Sequence, residues 1–304
     1  YYRGLCYFFL GQYSEALEDL NKAIDLNPKD AGSFIERGRV YHYGFKKNKE
    51  ALREFNKAIE LNPKNYFYFH IRGSYYNNLD KYSEALKDLN KAIELNPNDP
   101  DSYNLRGRIY HHGFQKNKEA LKDFNQAIEI DPNNPKDYDN FYYRGLCNYF
   151  LGQYSEALDD LNKAIELNPE HDRSFNQRGR VYHYGFQKNK EALKNYNQAI
   201  ELNPKRGFYF YARGSFYYNI DQYSEALEDL NKALELNPND HDSYNLRGRI
   251  YYHGYSNNEK ALEDFNKAIE IDPNNPKDYD NFYSRGLCYF YLGQYSEALE
   301  DLNK

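Results

Sequence analysis

Apolar positions recur along the chain at helical spacing. Between Ser14 and Leu26, the residues Ala16, Leu17, Leu20, Ala23 and Ile24 fall on one face, which predicts an amphipathic helix. Glu15, Glu18 and Asp19 crowd its first half, where the helix dipole favours negative charge. Asn27-Pro28 ends it, because proline disfavours the helical conformation of the residue before it. A second kind of segment precedes each such helix. It holds an aromatic, an Arg-Gly pair and another aromatic, as in Phe34, Arg37, Gly38 and Tyr41. Glycine inside a helix costs about 1 kcal/mol relative to alanine. Its recurrence predicts a close helix contact, with Ala16, Ala51, Ala85 and Ala120 as the facing small residues. Neither helix buries its stripe alone, so the pattern predicts stacked helix pairs and an all-α fold.

The Arg-Gly pairs stand at Arg3, Arg37, Arg72, Arg106, Arg144, Arg178, Arg213, Arg247 and Arg285, in steps of 34, 35, 34 and 38 residues, twice over. A short unit is thus nested in a long one of 141 residues. Residues 1–141 and 142–282 agree at most positions, and 283–304 restart the text, so 1–304 reads as one continuous repeat solenoid cut within a repeat at both ends. The longest step passes through Asp131 to Lys136 and Asp272 to Lys277, a Pro-bearing stretch that predicts a longer turn. Alternate units carry one extra residue, as in Gly44 to Asn48 against Gly11 to Ser14. That predicts a longer turn between the two helices, with the register of both unchanged.

Tyr103, Gly107, Tyr110, Ala120, Phe124, Ala127 and Pro132 form one aromatic–Gly–aromatic–Ala–aromatic–Ala–Pro series with the insertion. Gly4, Tyr7, Ala16, Leu20, Ala23 and Pro28 form one without it. In these residues the chain resembles the tetratricopeptide repeat (TPR) family along its whole length. The resemblance implies a right-handed superhelical solenoid of antiparallel helix pairs, with first helices lining a concave face. It further implies a non-enzymatic protein that binds proteins or peptides in that groove. The family's best-known groove grips a terminal carboxylate with Lys and Asn. Here the places after each Arg-Gly, taken as groove-facing, carry Leu5, Arg39, Ser74 and Arg108, so carboxylate clamping is not expected.

Composition narrows the picture. The net charge is -6 with a mean hydropathy of -1.03, and no run of 18 apolar residues exists, which predicts no membrane insertion. No Lys/Arg cluster offers a phosphate-binding surface, which predicts no nucleic-acid partner. Aromatics at 18% argue against disorder. Met and Thr are absent, which points to duplication of a short parent and predicts an interior or processed piece. No targeting segment or Asn-x-Ser/Thr sequon is present, so the compartment stays open: extracellular or cell surface for a fibre, otherwise cytoplasmic. Cys6, Cys147 and Cys288 occupy one repeat position, where other units place Val40, Ile109, Val181 and Ile250. They read as small buried hydrophobes.

The repeated Arg has a recurring acidic counterpart on the second helix: Asp19, Asp88, Asp123, Asp160, Asp229, Asp264 and Asp301, with Glu54 and Asn195 as exceptions. These predict a partly buried Arg–Asp ladder that fixes the register of each hairpin. Asn21, Asn56, Asn90 and Asn125 form a second series suited to backbone or Arg donors. The candidate groove comprises Arg39, His42, Tyr43, Asn77, Asn78, Arg108, His111 and His112, then Arg180, His183, Tyr184, Tyr218, Arg249, Tyr252 and His253. Rings beside amide and guanidinium donors suit extended peptides, glycans or another copy of the chain. Adjacent His111 and His112 point apart on a helix, so no metal site is expected. No phosphate loop, nucleophile triad or Cys-x-x-Cys appears, so neither catalysis nor a cofactor is expected.

Two functions follow. In the first, the solenoid is a structural scaffold that extends or self-assembles end to end into a superhelical filament, its partner being further copies of itself. In the second, it is an adaptor holding a peptide or protein partner in its groove.

Overall fold

The computed structural model describes residues 1–132, 138–273 and 278–304, with side chains at 278–281 set aside. The predicted turns at Asp131 to Lys136 and Asp272 to Lys277 therefore lie largely outside the described residues. The described residues form eighteen α-helices in two compact halves, Tyr1–Gln153 and Tyr154–Lys304. The first half contains α1 (Tyr2–Phe9), α2 (Tyr13–Leu26), α3 (Ala31–Arg39), α4 (Asn48–Leu61), α5 (Tyr66–Asn77), α6 (Tyr82–Leu95), α7 (Pro100–Phe114), α8 (Asn117–Ile130) and α9 (Tyr138–Phe150). The second contains α10 (Tyr154–Leu167), α11 (Asp172–Arg180), α12 (Asn189–Leu202), α13 (Gly207–Asn219), α14 (Tyr223–Leu236), α15 (His241–Arg249), α16 (Asn258–Ile271), α17 (Asp278–Tyr291) and α18 (Tyr295–Leu302).

Within each half, first and second helices pair antiparallel, and each pair packs on the next. The core of a pair alternates in size. The second helix buries Leu20 or Leu89 in one unit and Phe55 or Phe124 in the next, then Leu161 or Leu230 against Tyr196 or Phe265 in the second half. These side chains sit directly on the recurring glycine. A Cβ on Gly38 would stand 2.6 Å from the Phe55 ring, and one on Gly73 would stand 3.0 Å from Leu89. The predicted facing alanines are fully buried, but it is the carbonyls of Ala16, Ala85 and Ala120 that approach Gly4, Gly73 and Gly107, at 3.3–3.4 Å from the Cβ position.

The extra residue of alternate units does not lengthen the turn between helices, as the sequence pattern had suggested. In the shorter units, Gln12 N bonds back to Tyr7 O and Lys81 N to Tyr76 O. In the longer ones, Lys47 N reaches Tyr41 O and Lys116 N reaches Tyr110 O, one residue further. The chain widens into a π turn at Val40–Gly44, Val181–Gly185 and Ile250–Gly254. The left-handed residue, Gly11 in one case and Lys46 in the other, stands at the same distance before the second helix. That junction is fixed, so the inserted residue is absorbed upstream, in the last turn of the first helix.

The widened turn is also a docking point. Tyr154 opens α10, and a Cβ on Gly185 of the next unit would stand 2.6 Å from its ring; Tyr13 meets Gly44 in the same way, and Tyr82 makes the contact at 2.7 Å with Gly113, in the last turn of α7. Gly185→Ala should therefore destabilise the fold by about 1–3 kcal/mol through overpacking. The check is the urea midpoint, and Tyr154→Ala in the same chain should recover part of the loss.

Candidate functional site

Where both helices of a hairpin lie in one half, the repeated Arg on the first helix holds its guanidinium near the second. Arg213 on α13 donates from Nε and Nη2 to both carboxylate oxygens of Asp229 on α14, at 2.8 and 2.7 Å. Its Nη1 donates to Asn197 Oδ1 on α12, in the preceding unit, at 2.6 Å. One planar fork therefore joins three helices. The arrangement recurs at Arg72 with Asp88 and Asn56, Arg106 with Asp123 and Asn90, Arg247 with Asp264 and Asn231, and Arg285 with Asp301 and Asn266. Arg37 pairs with Glu54 and Asn21, and Arg178 with Asn195 and Asn162. Arg3 holds Asp19 at 2.6 Å, and Arg144 donates to Asn125 at 3.0 Å. Asp160, in the other half from Arg144, is buried. An aromatic ring three residues before the Arg lies against several of these guanidinium groups, as Phe34 does for Arg37 and Phe210 for Arg213.

The charge of the partner sets the electrostatics. Arg213 is pushed above the ordinary arginine range, first by its hydrogen bond to Asp229. Arg178 faces the neutral Asn195 amide and is pushed down by burial. Burial raises the Asp123 and Asp264 carboxyls, with the Arg hydrogen bonds opposing it. The sequence had named the carboxylates and the Asn series. It missed that the Asn comes from the preceding unit, so that every such Arg after Arg3 reaches back to the unit before it.

The candidate groove residues gather around the ends of the first helices. His42 is buried, with Nδ1 3.0 Å from Asn48 Oδ1 and Nε2 3.4 Å from Asn78 Nδ2. The same Asn78 amide donates to Tyr43 Oη at 3.3 Å. In the second half, Asn219 repeats this toward His183 and Tyr184. His111 Nδ1 lies 2.7 Å from Asn117 Oδ1, and its ring meets that of His112 edge-on. Arg39 pairs with Glu36 at 2.9 Å and lies over the Phe8 ring. Arg108 lies over Tyr143 and Arg249 over Tyr218. Arg180 donates to Gln177 Oε1 at 3.2 Å. Tyr252 and His253 line a cavity of about 300 Å³ with Tyr291. Asn77 is half-buried in the last turn of α5. Among the described residues, no three His, Cys, Asp or Glu side chains converge as metal ligands, and no helix is long and apolar enough to cross a membrane.

Two expectations need correction. The place after each Arg-Gly is not uniformly groove-facing: Leu146, the counterpart of Leu5, is buried in the core with Ala120, Phe124 and Cys147. Cys147 and Cys288 are buried, and burial pushes the Cys288 thiol up to about 12, but Cys6 is exposed. The difference follows from packing: α8 covers Cys147 on α9, whereas α1 has no helix before it in these 304 residues.

The helix pairs and their repeated contacts define a helical-repeat protein, and family comparison specifies which kind. Tetratricopeptide repeat models match residues 1–30, 138–171 and 208–240, and residues 100–134, 172–206 and 241–275; a TPR repeat model matches 73–113. The chain belongs to the tetratricopeptide repeat family. No curated protein sequence matches it. Among solved structures it is similar to a tetratricopeptide repeat protein from Parabacteroides merdae, at 21% identity and a TM-score of 0.70, over 84% of this chain and 98% of that one. It is also similar to the APC/C hetero-tetramer Cut9-Hcn1, at 19% identity and a TM-score of 0.66, over 88% of this chain and 52% of that one. The type IV pilus biogenesis factor PilW matches at 16% identity and a TM-score of 0.64, over 70% of this chain and 96% of that one. The chain thus spans about half the length of the Cut9-Hcn1 chain. At these identities the likeness is one of fold.

Two measurements probe the Arg clusters and the groove. Arg213→Ala should cost about 3–5 kcal/mol, because the buried Asp229 carboxylate loses its partner. Asp229→Asn should cost less, since Asn195 already serves Arg178 that way; urea unfolding of both variants checks the order. His70 is half-buried, 2.9 Å from Ser102 Oγ, and burial holds its imidazole below the ordinary range against Asp99 and Asp101. A base depressed in the fold stabilises it while neutral, and that stability is lost as pH falls through the unfolded value of about 6.5. In His70→Tyr, which installs the residue found at Tyr211, the unfolding midpoint should fall less between pH 8 and pH 5 than in the unaltered chain.

Proposed function

We propose that this chain is a non-enzymatic interaction scaffold that binds an extended peptide or protein segment along the exposed ends of its first helices. One observation carries the reading. Tyr43 and Tyr184 remain 40% and 47% exposed, although each is held in place by an Asn amide from the next unit. Rings that are oriented yet uncovered, beside Arg39 and Arg180, offer stacking and hydrogen bonding without an ordering cost on the protein side. Tetratricopeptide repeat proteins generally mediate protein–protein interactions, and the similar Cut9-Hcn1 structure is itself a hetero-tetramer. In this reading the Arg clusters fix the register of each hairpin and hold the rings at constant spacing. Binding of peptides displayed at random on phage should enrich a defined motif, and Tyr43→Ala with Tyr184→Ala should weaken the selected peptide at least tenfold, about 1.4 kcal/mol, with the fold retained.

A second reading is favoured by the 141-residue text repeat. Long units 1–141, 142–282 and the restart at 283 present the same side chains again, which suits a continuous solenoid growing into a superhelical filament. Electron microscopy separates the two. A filament predicts long fibres whose axial repeat scales with the long unit, whereas dispersed particles that capture peptide leave the adaptor alone.

A further inference from the structure

The two halves differ around α13, where Ala212, Tyr211 and the facing Tyr196 stand at the places of Ile71, His70 and Phe55. In the second half, Arg180, Tyr184, Phe208, Tyr211, Ala212 and Ser215 surround a cavity of about 200 Å³ over the buried ring of Tyr196. At the equivalent positions of the first half, Ile71 replaces Ala212 and packs against the core of Ile35 and Phe55. Ala212 leaves that volume open. The charge changes at the same spot. Arg39 lies 2.9 Å from the Glu36 carboxylate, whereas Arg180 meets the neutral Gln177 amide at 3.2 Å. Gln177 thus brings no charge to Arg180 where Glu36 brings one to Arg39, and among the described residues lining the cavity Arg180 is the charged one.

The other lining groups set the orientation of a guest. Tyr211 is pushed up to about 12, first by burial and then by Asp242 and Asp240, so it stays a neutral phenol. Those two carboxylates repel an anion from the Tyr211 end, which leaves the Arg180 end as its seat. Phe208 is 48% exposed at the rim, and Tyr184 is exposed with it, which gives an aliphatic stem flat surfaces to lie on.

We infer that this cavity receives the acidic side chain of a bound peptide, glutamate or aspartate, with its carboxylate on Arg180 and its methylene carbons between Tyr184 and Phe208. The inference rests on the groove reading above and names the residue class that the groove selects. It predicts a preference for acidic peptides in a protein whose own net charge is negative.

The test uses the full chain and a fluorescein-labelled octapeptide alternating Glu and Ser, compared with its Gln counterpart by fluorescence anisotropy. The Glu peptide should bind about tenfold more tightly, with salt weakening the difference. Ala212→Ile and Gln177→Glu, which install the first-half residues, should each remove the preference while leaving the helical signal and melting midpoint in place. The reciprocal set Ile71→Ala, His70→Tyr and Glu36→Gln should add a second site and raise the stoichiometry. Equal binding of the Glu and Gln peptides, or a preference that survives Ala212→Ile, overturns the inference. If random display selects binders with no acidic residue, the groove reading stands and this inference fails. If neither probe nor any displayed peptide binds, both fail.

Discussion

A guanidinium shared among three helices organises the repeat. Apolar burial between helix pairs is strong but non-directional. The Arg fork has fixed geometry: two nitrogens grip the Asp of its own hairpin and a third reaches the Asn of the hairpin before it. On our reading this sets register within a unit and between units at once. The Asp side chains are almost fully buried, so their charge has to be met there; leaving one unpaired costs far more than the pair contributes. The variations keep that rule. Glu54 brings a longer carboxylate to Arg37, and Asn195 offers an amide oxygen to Arg178 while its own NH₂ goes to the Glu191 carbonyl.

Around that fixed cluster, successive units meet in two alternating ways. In one, a tyrosine that opens a second helix presses on the glycine of the following π turn, as Tyr154 does on Gly185. In the other, the ring of Tyr75 packs on Phe55 and His42, and its hydroxyl donates to the Asn48 carbonyl at 2.8 Å. The first contact needs room beside the backbone, which the widened turn and its glycine provide. The alternation of 34-residue steps with longer ones of 35 or 38 is the sequence trace of these two interfaces.

The near-identity of the repeats makes their differences informative. Substitutions at the Arg clusters preserve hydrogen bonding. Those at Gln177 and Ala212 do not preserve what their counterparts do: one removes a carboxylate beside Arg180 and the other removes volume, and Arg180 and Ala212 line the same cavity. A scaffold built from equivalent units gains selectivity only where equivalence breaks.

Helix positions, the series of Asp opposite the repeated Arg, and the need for a close approach at the recurring glycine were all legible in the text. Each depends on spacing within one hairpin, and 3.6-residue periodicity and sequence separation report that directly. Membership of the repeat family was legible for the same reason. The Asn that completes each cluster was visible as a series but not assignable, because its partner lies across a unit boundary. The π turn was misread as a longer loop, since the same inserted residue fits either place until the Lys47–Tyr41 bond and the Tyr–Gly contact decide it. The cavity left two signals, the changes at Gln177 and Ala212, yet nothing local says that Arg180, the partner of Gln177, shares a wall with Ala212. Sequence alone determined which helices form and which partners each keeps nearby; only the packing of side chains across neighbouring units, where volume and charge add over residues far apart in the chain, decided where the surface opens.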